Sequence, residues 1–150
     1  MELQELKGKL LAKCINQQSE VIRQLQQEIS DAQKQANDYG QPKDRYDAFR
    51  TKLMRQIELY AKQLDKANIL INTLQKINLE KDLTEVEFGA LVITNKQKIF
   101  VSVGLGKVDL DGDVYYAVSP QVPIFNALKG KRKGDEVVFN GMTLVVEDVC

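Results

Sequence analysis

Two apolar stripes run through the first half of this chain in mirror-image register, and that symmetry narrows the choice of folds more than any other feature. One stripe reads Leu11, Ile15, Gln18, Ile22, Leu25, Ile29, Ala32 and Ala36; the other reads Tyr46, Phe49, Leu53, Ile57, Tyr60, Leu64, Ala67, Ile71 and Leu74. Both advance in steps of three and four residues, the seam of a coiled coil. Residue numbers of facing positions add to 82 for Ala36 with Tyr46, Ile29 with Leu53, Leu25 with Ile57, Ile22 with Tyr60, Gln18 with Leu64, Ile15 with Ala67 and Leu11 with Ile71. Only Ala32 with Phe49 misses, by one. A constant sum means a chain folded back on itself. Residues 1–80 therefore read as one antiparallel coiled-coil hairpin whose tip is 37–45.

The first helix is expected from Glu2 to about Ala36, with Leu3, Leu6, Leu10 and Cys14 extending the stripe towards its start. Gly8 costs roughly 1 kcal/mol of helix propensity and is where a fray or bend is expected. Gln18, the polar residue of the seam, is read either as a solvated position or as a register lock opposite Leu64. Tyr39-Gly40 supplies the turn, because glycine fits the position just past a helix end. Pro42 bars the first helix from continuing and suits the first turn of the second, expected from Pro42 or Lys43 to about Leu79. Each arm then spans about 50 Å at ~1.5 Å per residue. Such a rod has little core per residue and reads as a probe or spacer.

Near residue 80 the period changes from helical to alternating. Strands are expected at Ala90–Thr94, Ile99–Leu105, Val114–Val118, Glu136–Phe139 and Thr143–Asp148. Asn95-Lys96-Gln97, Asp111-Gly112-Asp113 and Asn140-Gly141 mark the turns. Ser119 to Gly130 reads as a short helix, with Ser119 as a candidate cap and Gly130 as its stop. The fold class is α+β: a helical hairpin at 1–80, then a small antiparallel β domain with one short helix at 81–150.

Composition excludes several functions. Charge is balanced, 21 basic against 21 acidic side chains, so bulk electrostatics gives no argument for independent DNA binding or for an anionic membrane. Histidine is absent, which removes histidine bases and histidine metal ligands. Cys14 and Cys150 show no metal spacing; a disulfide between them has no support, and a reducing cytoplasm is the simpler setting. No segment approaches the ~20 apolar residues that cross a bilayer. Asp109, Asp111 and Asp113 alternate as in a calcium loop, but Val114 and Pro120 stand where that loop needs glycine and glutamate, so a solvated turn is the better reading. The cluster Lys129, Lys131, Arg132 and Lys133 is read as a solvated loop, with an acidic partner surface as the alternative.

The order of parts, with several local motifs, resembles the Gre family of transcript-cleavage factors of bacterial RNA polymerase. The motifs are Phe88-Gly89-Ala90-Leu91-Val92, Ser119-Pro120, Asn126-Ala127-Leu128-Lys129-Gly130-Lys131, Gly134-Asp135-Glu136-Val137 and a closing strand near Leu144–Val149. The resemblance implies an FKBP-like C-terminal domain that docks at the polymerase rim, for which Ser119, Pro120, Lys131, Gly134 and Asp135 are the candidates. It implies a tip that enters the secondary channel and meets the RNA 3′ end only through the polymerase. It also implies that tip acids help hold a Mg²⁺ ion shared with the polymerase, Asp44 foremost. The chain would be a monomeric, non-enzymatic factor with no cofactor of its own.

At the tip Gly40 matches the family's glycine, Gln41 stands at its aspartate and Asp44 at its glutamate. Arg45 replaces an asparagine and Asp47 falls at a further acidic position, while Asp38 lies on the other side of the turn. One carboxylate is thus lost and another is one methylene shorter. Two outcomes stay open: stimulated RNA cleavage, or a channel-occluding regulator. A generic scaffolding coiled coil is the competing reading from outside the family.

Overall fold

The structure, a computed structural model, describes residues 2–39 and 48–150; the tip positions Gly40, Gln41, Asp44 and Asp47 lie outside the described residues. Helix α1 spans Glu2–Tyr39 and helix α2 spans Ala48–Gln75. Strands follow at β1 (Leu91–Thr94), β2 (Lys98–Val101), β3 (Gly106–Leu110) and β4 (Asp113–Val118), then helix α3 (Pro123–Leu128), β5 (Glu136–Phe139) and β6 (Met142–Val149). The described chain forms two compact units. One is Asn16–Asn72; the other joins the residues up to Ile15 to Thr73–Cys150.

The first of these units is the body of the helical hairpin. Its stripes behave as the pairing sum requires: Ala32, Ala36, Leu53 and Ala67 are buried, and Ile22, Leu25, Ile29, Ile57, Tyr60 and Leu64 are half-buried. Gln18 is buried as well, at 7% exposure, which overturns its reading as a solvated position. Phe49, the one residue that misses the sum, is 47% exposed and leaves the seam. Its ring instead meets Tyr39, with centroids 4.8 Å apart.

The second unit centres on a six-stranded sheet of order β3-β4-β2-β1-β6-β5. The small antiparallel β domain expected from sequence is present, with one pair, β2 and β4, running parallel (Ile99 beside Tyr116, Phe100 beside Ala117). A parallel neighbour needs a crossover rather than a tight turn, and the segment 102–112, with β3 inside it, makes that crossover. The inner strands β1 and β2 are buried on both faces: Leu91 and Val92, then Ile99, Phe100 and Val101, are at most 1% exposed. Continuous apolar runs are the sequence mark of such strands. On one face Phe125 and Leu128 of α3 join Val86, Val92, Ile99, Val101 and Val146 in a single core.

Four boundaries differ from expectation by more than one residue. The strand starting at Ile99 ends at Val101, and a separate β3 begins at Gly106; its pattern was hidden because only Val108 of that edge strand is buried. α2 ends at Gln75 rather than Leu79. There the Asn78 side chain accepts the Glu80 amide at 2.9 Å, a local bond that competes with the helix. α1 runs on to Tyr39, past Ala36. Ser119 does not cap α3: Val122 occupies that position in extended conformation with no side-chain cap bond, and Ser119 Oγ accepts the Gln121 amide at 3.4 Å. Pro123 at the first helical position explains this, since the residue before a proline is driven out of helical conformation.

The turns are sharply specified. Asp111-Gly112 and Asn140-Gly141 each join paired strands with φ of 51° and 85°, and 50° and 77°, the two positive values a two-residue hairpin turn requires. In the β1–β2 turn, Thr94 Oγ1 accepts the amides of Lys96 (3.2 Å) and Gln97 (3.0 Å) and donates to the Gln97 carbonyl (2.8 Å). Thr94→Val keeps the shape and removes all three bonds. We expect it to cost about 1–3 kcal/mol in chemical denaturation, the penalty for amides left without an acceptor.

Candidate functional site

The tip acids Asp44 and Asp47, with Gly40 and Gln41, lie outside the described residues, so Asp38 is the one tip acid whose setting can be described. It sits exposed in the last turn of α1, where no basic residue of α1 stands. That position is electrostatically unfavourable, because the carbonyl end of a helix carries partial negative charge. Compensation comes from the other arm: Arg50 of α2 donates from Nη1 to the Ala36 carbonyl at 3.4 Å, placing a cation at the end of α1. The same end is closed by the Tyr39–Phe49 ring contact. Asp38 thus lies in sequence between Ala36, whose carbonyl Arg50 contacts, and Tyr39, whose ring meets Phe49.

The rim-docking candidates divide into two groups by α3. Ser119 and Pro120 precede it; Lys131, Gly134 and Asp135 follow it in one loop. Much of that loop is explained by backbone geometry. Gly130 and Gly134 hold positive φ of 76° and 94°. The Gly130 amide donates to the Val86 carbonyl at 2.9 Å and the Val86 amide to the Lys131 carbonyl at 2.8 Å. Asp135 Oδ2 accepts the Arg132 amide at 2.8 Å, closing a turn that the Gly134 amide pins to the Val146 carbonyl at 2.7 Å. Pro120 and Asp135 are exposed, whereas Ser119 and Lys131 are half-buried. In the basic cluster Arg132 pairs with Glu85 at 3.6 Å, both partly solvated.

Asp109, Asp111 and Asp113 occupy the β3–β4 hairpin, as a turn requires, and Asp113 pairs with Lys98 at 3.5 Å. Among the described residues no group of three or more cysteine or acidic side chains could hold a metal ion. A lone carboxylate at Asp38 does not make a metal site either. Cys14 and Cys150 are free thiols, both buried. Burial pushes the Cys14 thiol up to about 11, which leaves it protonated and unreactive near neutrality.

One residue in the compact unit of the sheet was missed by sequence reasoning. Lys7 is fully buried, and its Nζ has no hydrogen-bond partner among the described residues. Burial lowers its pKa, partly offset by the nearby Cys150, Asp82 and Glu87. The signal was available, since Lys7 stands four residues after Leu3, three before Leu10 and seven before Cys14, squarely on the apolar stripe. Lysine at such a position is ordinarily read as snorkelling, which hid it.

Among the described residues no helix is long and apolar enough to cross a membrane. No family model matches the chain, and no curated protein matches it. Among solved structures, the crystal structure of GreA factor homolog 1 (Gfh1) of Thermus thermophilus is similar at 14% identity, covering 92% of this chain and 95% of that one, with a TM-score of 0.34. A second structure of the transcription factor Gfh1 is similar at 15% identity over 91% and 93% of the two chains, with a TM-score of 0.33. The fold described above therefore rests on this chain's own helices, strands and registers.

Proposed function

We propose that this chain is a Gre-like transcription elongation regulator that binds RNA polymerase, inserts the end of its helical hairpin into the secondary channel and stimulates cleavage of backtracked RNA. The observation that carries this reading is the exposed Asp38 in the last turn of a 38-residue helix, in a position the helix field disfavours. Asp38 is exposed and does not serve the helix that carries it, so a role towards a partner accounts for it better than stability does. The acidic residues Asp44 and Asp47 follow within the next nine positions of the sequence, interleaved with Lys43 and Arg45. The motifs from Phe88 to Val149 that resemble the Gre family lend the β domain its docking role, with Ser119, Pro120, Lys131, Gly134 and Asp135 as contacts.

In this reading the chain is not itself an enzyme; the polymerase makes the cut. Asp44 is the carboxylate it would lend to the polymerase's Mg²⁺. The described residues contain no ligand set, so no metal step is assigned to this chain. A second reading is favoured by Gln41, whose amide carries no charge where a carboxylate is expected: a regulator that occupies the channel without promoting cleavage.

The test is RNA cleavage in stalled, backtracked elongation complexes with and without the protein. We expect added protein to speed cleavage and Asp44→Ala to reduce the effect about 10- to 100-fold, the range seen when a residue supporting a metal site is removed. Binding without cleavage selects the occluding regulator. Failure to bind polymerase at all sinks both readings.

A further inference from the structure

The charge balance of the whole chain conceals one local concentration on the β domain. A groove of about 440 Å³ lies between the β1–β2 turn and the β3–β4 hairpin. Its lining includes Lys96, Lys98, Lys107 and Tyr116, with Asp113 as the only acid among the described residues. Asp113 is already engaged, 3.5 Å from Lys98. Lys98 also lies 5.4 Å from the centre of the Tyr115 ring, which is buried on the other face of β4 from Tyr116, so its ammonium is already engaged. The groove keeps a formal excess of two positive charges from segments far apart in sequence.

Two further observations specify what such a groove takes. Tyr116 is 39% exposed between the buried Tyr115 and Ala117, and it lies directly opposite Lys107 in the β3–β4 register. An open aromatic face beside an ammonium group suits a flat ring carrying a nearby anion. The rim that presents Lys96 is rigid, held by the three Thr94 hydroxyl bonds and by Asn95, whose side chain accepts the Val145 amide at 2.9 Å. Pre-ordering of this kind lowers the entropy lost on binding.

We propose that this groove binds a short stretch of single-stranded nucleic acid, one base or sugar lying on Tyr116 and the adjoining phosphates held by Lys96 and Lys107. Base stacking on an aromatic side chain combined with lysine contacts to the backbone is the general chemistry of sequence-tolerant strand binding. An acidic peptide would use the lysines but not the tyrosine face. The site does not depend on the polymerase reading, because it lies on the β domain and needs only this chain.

The experiment is fluorescence anisotropy of a fluorescein-labelled octauridylate titrated with the full chain. Neutralising two phosphates predicts a slope of about −1.4 in log K against log salt. Lys96→Glu combined with Lys107→Glu should weaken binding at least tenfold, and Lys107→Arg should preserve it. Tyr116→Phe should bind like the parent, whereas Tyr116→Ala should lose about 5- to 100-fold, the worth of one stacked base. Each variant's melting temperature reports whether it is folded, and the Lys107→Arg and Tyr116→Phe arms keep the test valid if Tyr116→Ala is not. Absence of saturable binding overturns the proposal, as does equal binding by the double glutamate variant. Displacement by polyglutamate as effective as by unlabelled octauridylate also overturns it, and identifies an acidic protein surface as the occupant.

Discussion

Replacing Lys7 with methionine is expected to stabilise the protein by about 1–4 kcal/mol, the gain seen when buried charge gives way to packed apolar side chains. In a chain of this size each kcal/mol is worth about 2–4 °C in Tm, so the change is readily read by calorimetry. The reason lies in what surrounds the ammonium: the side chain is 0% exposed and its Nζ has no hydrogen-bond partner among the described residues. Methionine nearly matches the aliphatic stem and brings no charge to desolvate. The effect should depend on pH in a definite sense. The folded state binds the Lys7 proton less tightly than the unfolded chain, whose lysine titrates near 10.5. The parent therefore carries the full penalty below its lowered folded pKa and sheds it as pH rises towards 10.5. The advantage of Lys7→Met should be largest at neutral pH and close in alkali. Cys14 moves the other way: its thiol, raised from 9.0 to about 11, contributes stability that is complete below 9.0 and disappears as pH rises through 11. Comparing the two proteins at each pH cancels the Cys14 contribution. A Lys7→Met variant that melts below the parent at neutral pH would show that the ammonium has a partner and is not a net cost.

Phe100→Ala should have the opposite and larger effect, a loss of about 3–5 kcal/mol. Phe100 is 0% exposed on β2, between Leu91 of β1 and Ala117 of β4 in register. Its neighbours Ile99 and Val101 belong to the core under α3, so alternation along the strand directs Phe100 to the other face. Truncation there opens a cavity in an inner strand flanked on both sides by paired strands, which cannot collapse without breaking the ladder. Native proteins have about 5–15 kcal/mol of net stability, so the loss would remove a large fraction of it. Val138→Ala is the internal control: on the edge strand β5 and 73% exposed, it should leave the melting temperature nearly unchanged. Equal losses at both positions would show that burial does not set the cost.

The hairpin was legible because coiled-coil packing is periodic: facing positions share a constant sum, and the single residue that broke it, Phe49, is the one that left the seam. The Asn140-Gly141 and Asp111-Gly112 turns were legible because positive φ selects those residue types. The inner strands announced themselves as apolar runs. Edge strand β3 did not, since an element with one buried side chain has almost no hydrophobic signature. The end of α2 and the start of α3 were misplaced because they are decided by single local contests, Asn78 against the helix and Pro123 against Ser119.

The candidate site was legible only in part, and for a different reason. Tip acids and motif residues can be located along a sequence, but what they touch cannot. That Asp38 stands in the last turn of α1, with Arg50 of the other arm reaching the nearby Ala36 carbonyl, required the helices to be placed. That Lys96, Lys98 and Lys107 share one groove with Tyr116 required the β2–β4 crossover, because no local pattern brings those positions together. Lys7 needed it most: a lysine on an apolar stripe is either snorkelling or buried, and only the surrounding atoms decide which. Periodicity and turn chemistry are local and were determined by the sequence alone. Parallel pairing, burial of a single charge and convergence of distant side chains are non-local, and tertiary structure decided them.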